Sequence, residues 1–282
     1  MPWRLDATVL SLAPVFRYFH RMATSVLDVF EHCNAAVSQG APIQRASQKD
    51  KEFHFQNWFS DRLNGTRLNF DAPSRNTYPD FRMVASTEGY ETKGLEFPGR
   101  IADFDCNSQV PAGVHNGRTI FYVFGRYPKS KQNTYPVIDF VICHGNLLNA
   151  RDDYIHKNKS FRGFGSYGDI LVRDRKMYVA PTPFGLLDGL DRQVTLILPA
   201  DVPADSRFTK VGEFERVETR KIVTSYTFNL KTNDLTTNDE ENPHAGKVYR
   251  FAAYRMRGAP ATQVQLKARP VLPTDANGAE ED

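Results

Sequence analysis

Three side chains suited to hydrolytic chemistry lie close together in the chain. Asp80 belongs to Tyr78-Pro79-Asp80-Phe81, and Glu91 and Lys93 belong to Glu91-Thr92-Lys93-Gly94, eleven positions further on. Paired carboxylates offer hard oxygen ligands to a divalent cation, and an ammonium beside them offsets phosphate charge or orients a water. The flanking sequence reads as two strands. Phe81 to Ala85 is apolar-rich, Ser86 to Gly89 is turn-like, and Tyr90 to Gly94 is extended again. Residues two apart share a strand face, so Glu91 and Lys93 point one way and Thr92 the other. Paired as a hairpin, these strands bring Asp80 to the edge beside Glu91. Metal-assisted hydrolysis of a phosphodiester is the chemistry that such a grouping suits.

An ordinary exposed hairpin with a salt bridge has the same composition. A second carboxylate-x-lysine triplet, Asp174-Arg175-Lys176, reads as a polar turn between two strands. The first constellation resembles the PD-(D/E)xK nuclease superfamily, in particular its type II restriction endonucleases. That resemblance implies an α/β fold, with a restriction-endonuclease-like core of central mixed β-sheet flanked by helices, to which the alternating strands beyond residue 205 add a β-rich C-terminal part. It further implies Mg2+ held by Asp80, Glu91 and the backbone carbonyl of Thr92, with Lys93 as the third catalytic residue. Double-stranded DNA is the implied substrate and a homodimer the implied assembly, since a two-fold pair places one active site on each strand of a palindrome. Glu52, on the helix ahead of the Pro-Asp strand, is by the same resemblance an accessory metal ligand; the alternative is a first-turn glutamate favoured by the helix dipole. Residues 1–200 are expected to hold the helices and nuclease core, 201–270 a β-rich extension packed on it, and 271–282 a disordered acidic tail. A repair, recombination or mobile-element nuclease on the same core, or a non-catalytic DNA-binding protein, are the rival readings.

The elements that must position these residues are legible in part. From Pro14 apolar residues recur at helical spacing until Gly40, and Ser47 to Asp50 resembles a capping box opening a second helix that ends near Asn64-Gly65. Phe55, Trp58, Phe59 and Leu63 form its buried face, with Asp61 off it. Thr119 to Phe124 and Val137 to Cys143 are near-continuous apolar runs, as in strands buried on both faces. Between them Arg126, Lys129, Lys131 and Gln132 read as a basic loop, either solvated or lying along phosphates with Lys129 and Lys131 as the contacts. The polar stretch Cys106 to Arg118 suits turns, and also base edges, with Asn107, Gln109, His115, Asn116 and Arg118 as DNA-binding candidates. His144 reads as a hydrogen-bonded edge residue. Residues 150–168 interleave basic and aromatic side chains, which suits nucleic acid or a surface loop alike.

Further on, Asp169 to Val172 and Lys176 to Val179 read as a hairpin, Val194 to Leu198 as a strand, and Pro199 to Asp205 as a linker. Strands are then expected at Ile222 to Leu230, Lys247 to Arg257 and Gln263 to Ala268, with Thr232 to Pro243 as a polar loop. Arg255 and Arg257 would share one face of the second, turned to DNA or to water. Net charge is only +3, so the whole-chain balance does not demand a nucleic-acid partner. The three cysteines, Cys33, Cys106 and Cys143, are scattered and lack metal spacing, which points to a reducing cytoplasm. No run approaches the ~20 apolar residues of a membrane span, and no signal-peptide pattern opens the chain. Phosphate-binding and dinucleotide-binding glycine loops, the G-x-S-x-G elbow and the H-E-x-x-H zinc motif are all missing.

Overall fold

A computed structural model describes residues 13–46, 53–71, 77–99, 103–106, 111–148, 171–173, 176–183, 193–218, 220–229, 231–232 and 234–259. The first helix, α1 (Ala13–Ser38), buries Val26, Val29, Phe30 and Cys33 completely, a stripe at three- and four-residue spacing. It ends where Gly40 takes φ +68°, a conformation that costs glycine little. After β1 (Pro42–Gln44), α2 (His54–Gly65) packs Phe55, Trp58, Phe59 and Leu63 inward as expected. Its described N-terminus is Phe53, with no side-chain cap; the expected capping box and Glu52 lie outside the described residues.

The strands that follow are β2 (Phe70–Asp71), β3 (Phe81–Met83), β4 (Glu88–Phe97), β5 (Asp103–Asp105), β6 (Val114–His115) and β7 (Arg118–Pro128). Next come β8 (Thr134–Pro136), β9 (Asp139–His144), β10 (Leu171–Arg173), β11 (Lys176–Pro181) and β12 (Val194–Pro199). The series closes with β13 (Phe208–Val217), β14 (Lys221–Asn229), β15 (Asp234–Glu241) and β16 (Val248–Met256). Among the described residues, nine strands form one mixed sheet in the order β13-β16-β12-β9-β7-β4-β3-β2, with β6 pairing the start of β7. The β4–β7 and β9–β12 pairs are parallel and their neighbours antiparallel. The chain is therefore α/β, with a mixed multi-strand sheet and few helices.

Two-sided burial explains the apolar runs. Phe121, Val123, Phe140 and Ile142 meet the helices, whereas Ile120, Tyr122, Phe124, Val141 and Cys143 pack on the opposite face with Phe104 and Leu147. The helix layer sits close because Gly94 and Gly125 are register partners directly under the Phe55 ring. A β-carbon at Gly94 would lie 2.9 Å from Phe55, and one at Gly125 would run into the ring itself. These two glycines seat α2 over β4 just beyond the Glu-x-Lys triplet.

Several expectations need correction. Arg126 is not in a basic loop: it lies within β7, fully buried, paired with its cross-strand partner Asp139, which is also fully buried. A second oxygen of Asp139 accepts from the Gln193 N–H at 2.8 Å. The strand β13 was not anticipated, because a bulge between Lys210 and Gly212 interrupts its alternation. The expected polar loop at 232–243 is largely β15, paired with β14 as a separate two-stranded ribbon. The sheet also runs through the expected boundary at residue 200, since β12 pairs with β16 and β16 with β13. Arg255 is 8% exposed rather than on a wet face, and nearby cations at 207, 210, 216 and 250 are ion-paired with carboxylates. The expected strand at 263–268, the basic-aromatic stretch at 150–168 and the acidic tail lie outside the described residues. Among the described residues no helix is long and apolar enough to cross a membrane.

Candidate active site

The hairpin anticipated around Asp80 and Glu91 is formed by β3 and β4, with Phe81 opposite Tyr90 and Arg82 opposite Gly89. Continuing that register by one residue places Asp80 opposite Glu91, at the sheet edge. Period-2 geometry sets Glu91 and Lys93 on one face of β4, where Lys93 Nζ donates to Glu91 Oε1 at 2.7 Å. Asp80 Oδ2 accepts from the Thr92 N–H at 2.8 Å and from the Thr92 hydroxyl at 2.6 Å. Thr92 was expected to point away from the site. Its hydroxyl reaches Asp80 all the same, because Asp80 lies at the edge of the sheet rather than over either face. The residue between glutamate and lysine thus anchors the aspartate.

Charge is held here at a cost. Burial pushes the Glu91 carboxyl up to about 7, with the Lys93 ammonium pulling it down and the Asp80 charge pushing it further up. Burial works against the Lys93 charge, yet Glu91 and then Asp80 keep its pKa above the ordinary value. The second carboxylate oxygen of Glu91, Oε2, is buried and makes no hydrogen bond of ordinary geometry, although the Asp80 backbone N–H lies close enough to favour the ionised carboxyl. A buried anionic oxygen beside a second carboxylate is the arrangement a small cation would satisfy.

Two residues missed by sequence reasoning line the same face. Tyr122 is the register partner of Glu91 on β7, and its hydroxyl lies 3.0 Å from that of Tyr78. Only the pairing of β4 with β7 reveals this; spacing along the chain does not. A further buried carboxyl, Glu88, faces the helices, accepting from the Tyr90 hydroxyl at 2.8 Å, and burial pushes it up to about 8.

Among the described residues β3 covers only Gly89 and Tyr90, so the edge of β4 beyond Glu91 has no neighbouring strand. A cleft of about 400 Å³ opens there, bordered by Lys93, Gly94, Glu96, Asp103, Asp105 and Lys129. The exposed Lys129 therefore lies beside the motif, while Lys131 is exposed in the following loop. Asp103 and Asp105, not singled out in the sequence, share one face of β5 at the cleft wall.

His115 and Arg118 are partners across a hairpin whose turn, Asn116-Gly117, has φ of +49° and +73°. Asn116 is exposed and its amide lies 3.1 Å from His115 Nε2. Arg118, a base-contact candidate, is half-buried, and its Nη1 donates to the carbonyls of Met83, Ser86 and Glu88, at 2.9, 3.2 and 3.4 Å. His144 is buried and accepts from the Asn146 N–H through Nδ1 at 3.1 Å; burial holds its imidazole down at about 4. Glu52, Asn107 and Gln109 lie outside the described residues.

Among the described residues no group of three or more His, Cys, Asp or Glu side chains is arranged to hold a metal. The oxygen donors gathered at the hairpin are two carboxylates, Asp80 and Glu91, and the Thr92 backbone. That set fits Mg2+, which is held by one or two carboxylates and completes its shell with water and substrate phosphate. Comparison with protein-family models, with curated proteins and with solved structures gives no match, so the geometry of this site carries the functional reading.

Proposed function

We propose that the chain is a Mg2+-dependent endonuclease of the PD-(D/E)xK kind, cleaving double-stranded DNA at a specific sequence as type II restriction endonucleases do. The observation that carries this reading is the convergence of Asp80, Glu91 and Lys93 from two paired strands, with both Glu91 and Lys93 largely buried. Asp80, Glu91 and the Thr92 carbonyl would hold the ion. When bound, it supplies a Lewis acid for the scissile phosphate and lowers the pKa of a water. Thr92 fixes the Asp80 carboxylate through its N–H and hydroxyl, so that ligand is oriented before any substrate arrives. Lys93 keeps its ammonium against Glu91, where it orients the attacking water and stabilises negative charge growing on the phosphate. The adjoining cleft leaves room for the sugar-phosphate chain next to the scissile group, with Lys129 at its rim.

The test is incubation of the full chain with long unmethylated duplex DNA and Mg2+, beside Asp80→Ala, Glu91→Ala and Lys93→Ala. Discrete, reproducible fragments that all three substitutions abolish are the expected result. Degradation from ends or nicking at branches would move the assignment to a repair or recombination nuclease, and retention without cutting to a DNA-binding protein. Wild-type cleavage by Asp80→Ala or Glu91→Ala would remove these residues from the chemistry.

A further inference from the structure

The strand that begins just after Asp80 is a weak one. β3 has three residues, pairing with β4 at two positions and with the two-residue β2 on its other side. Thr92 anchors the Asp80 carboxylate itself, but the backbone that presents it needs better support than two short ladders give, because a metal ligand displaced by a fraction of an ångström is a poor ligand. That backbone support comes from outside the β3–β4 hairpin. At the C-terminal end of β3, Arg118 Nη1 gathers the carbonyls of Met83, Ser86 and Glu88, which span the last residue of β3, the turn and the first residue of β4. At the N-terminal end, the His115 ring stands edge-on to Tyr78, centroids 4.8 Å apart at 85°. Tyr78 precedes Asp80 by two residues, and its hydroxyl is tied to Tyr122 and its carbonyl to Arg82 Nη2 at 3.2 Å.

His115 and Arg118 face each other across the two-residue Asn116-Gly117 turn, and Arg118 opens the central strand β7. A turn with both central residues at positive φ is the tightest connection two strands can have, and it fixes the distance between those side chains. We propose that the Val114–Arg118 hairpin is a positioning device for Asp80, with His115 and Arg118 holding the two ends of the strand that presents it. This inference rests on the nuclease reading and assigns both residues a role different from reading bases. They act through Tyr78 and through the β3–β4 turn, not through contact with substrate.

The experiment uses the full chain and four substitutions: His115→Ala, His115→Phe, Arg118→Ala and Arg118→Lys. Mn2+ affinity by calorimetry, Mg2+-dependent kcat, and duplex affinity without metal are measured on each. Loss of an outer support to a metal ligand typically costs about 10–100-fold in affinity or activity. Both alanine variants should lose about that much in Mn2+ affinity and kcat while binding metal-free duplex like wild type. His115→Phe, which keeps a ring edge against Tyr78, should restore most of the loss, and Arg118→Lys part of it. Should Arg118→Ala fail to fold, the half-exposed His115 carries the test alone. Wild-type Mn2+ affinity and kcat in the alanine variants overturn the proposal, as does a loss confined to duplex binding. A wild-type chain that neither binds Mn2+ nor cleaves defeats the nuclease reading itself. Cleavage lost in Asp80→Ala but intact in His115→Ala defeats the positioning role alone.

Discussion

Proton and cation compete for the same oxygens at Glu91, and the competition can be measured without any knowledge of the DNA site. Burial pushes the Glu91 carboxyl up to about 7, so a cation must displace a proton across the neutral range. With that midpoint the ionised fraction is about a tenth at pH 6 and about nine-tenths at pH 8, so apparent Mn2+ affinity should rise about tenfold between them and level off above. Two substitutions move the midpoint in opposite directions. Lys93→Met removes the ammonium 2.7 Å from Glu91 Oε1, which should raise the midpoint by about 1–3 units and carry the rise beyond pH 8. Asp80→Asn removes the neighbouring negative charge and should lower it, at the expense of one ligand. Calorimetry of Mn2+ binding from pH 5.5 to 9, in buffers of different ionisation enthalpy, reads both the affinity and the protons released. Affinity that is flat from pH 6 to 8 in the wild-type chain would refute the reasoning. So would a Lys93→Met midpoint displaced to the acid side.

Three other outcomes are expected. Because the folded state holds the Glu88 carboxyl at about 8, it binds more protons than the unfolded state above pH 4.5, so stability falls as pH rises through that window. Glu88→Gln should abolish about 2–3 kcal/mol of the loss seen between pH 5 and 7 in urea unfolding of the metal-free chain, and equal slopes in the two proteins would count against a buried neutral acid. Gly125→Ala drives a methyl into the Phe55 ring and should destabilise by about 1–3 kcal/mol, an effect that Phe55→Leu relieves; an unchanged urea midpoint would show that α2 is not seated there. If Lys129 holds a phosphate beside the cleft, Lys129→Ala should weaken cognate and scrambled duplexes alike and flatten the salt dependence by about one unit of slope, whereas an unaltered slope would leave that lysine facing solvent.

What could be read from the chain was whatever a short-range rule dictates. Strand periodicity alone put Glu91 and Lys93 on one face, and the turn-like Ser86 to Gly89 brought Asp80 back beside them. Helical spacing marked the buried stripe of α2, and apolar runs at Thr119 and Val137 marked strands covered on both sides. Such signals survive because each residue's environment follows from its immediate neighbours. The bulge in β13 and the polar ribbon β15 were lost because local pattern there is broken or looks like loop.

The tertiary structure decided everything that depends on which strand lies beside which. Arg126 looked like a surface cation until β9 brought Asp139 against it, since a buried charge is tolerable only with a partner that can be far away in sequence. Arg118 read as a residue of a polar loop, and only the folded chain shows the β3–β4 turn presenting three carbonyls to its Nη1. Tyr122 joined the site only through the parallel register of β4 with β7. Even the C-terminal strands proved to be part of the central sheet, because β16 pairs with β12 across about fifty residues of chain, and short-range patterns do not say which distant strand becomes a neighbour. Residue types and spacing nominated the chemistry of Asp80, Glu91 and Lys93. Long-range pairing determined how firmly those groups are held, because burial and register are properties of neighbours in space and not of neighbours in the chain.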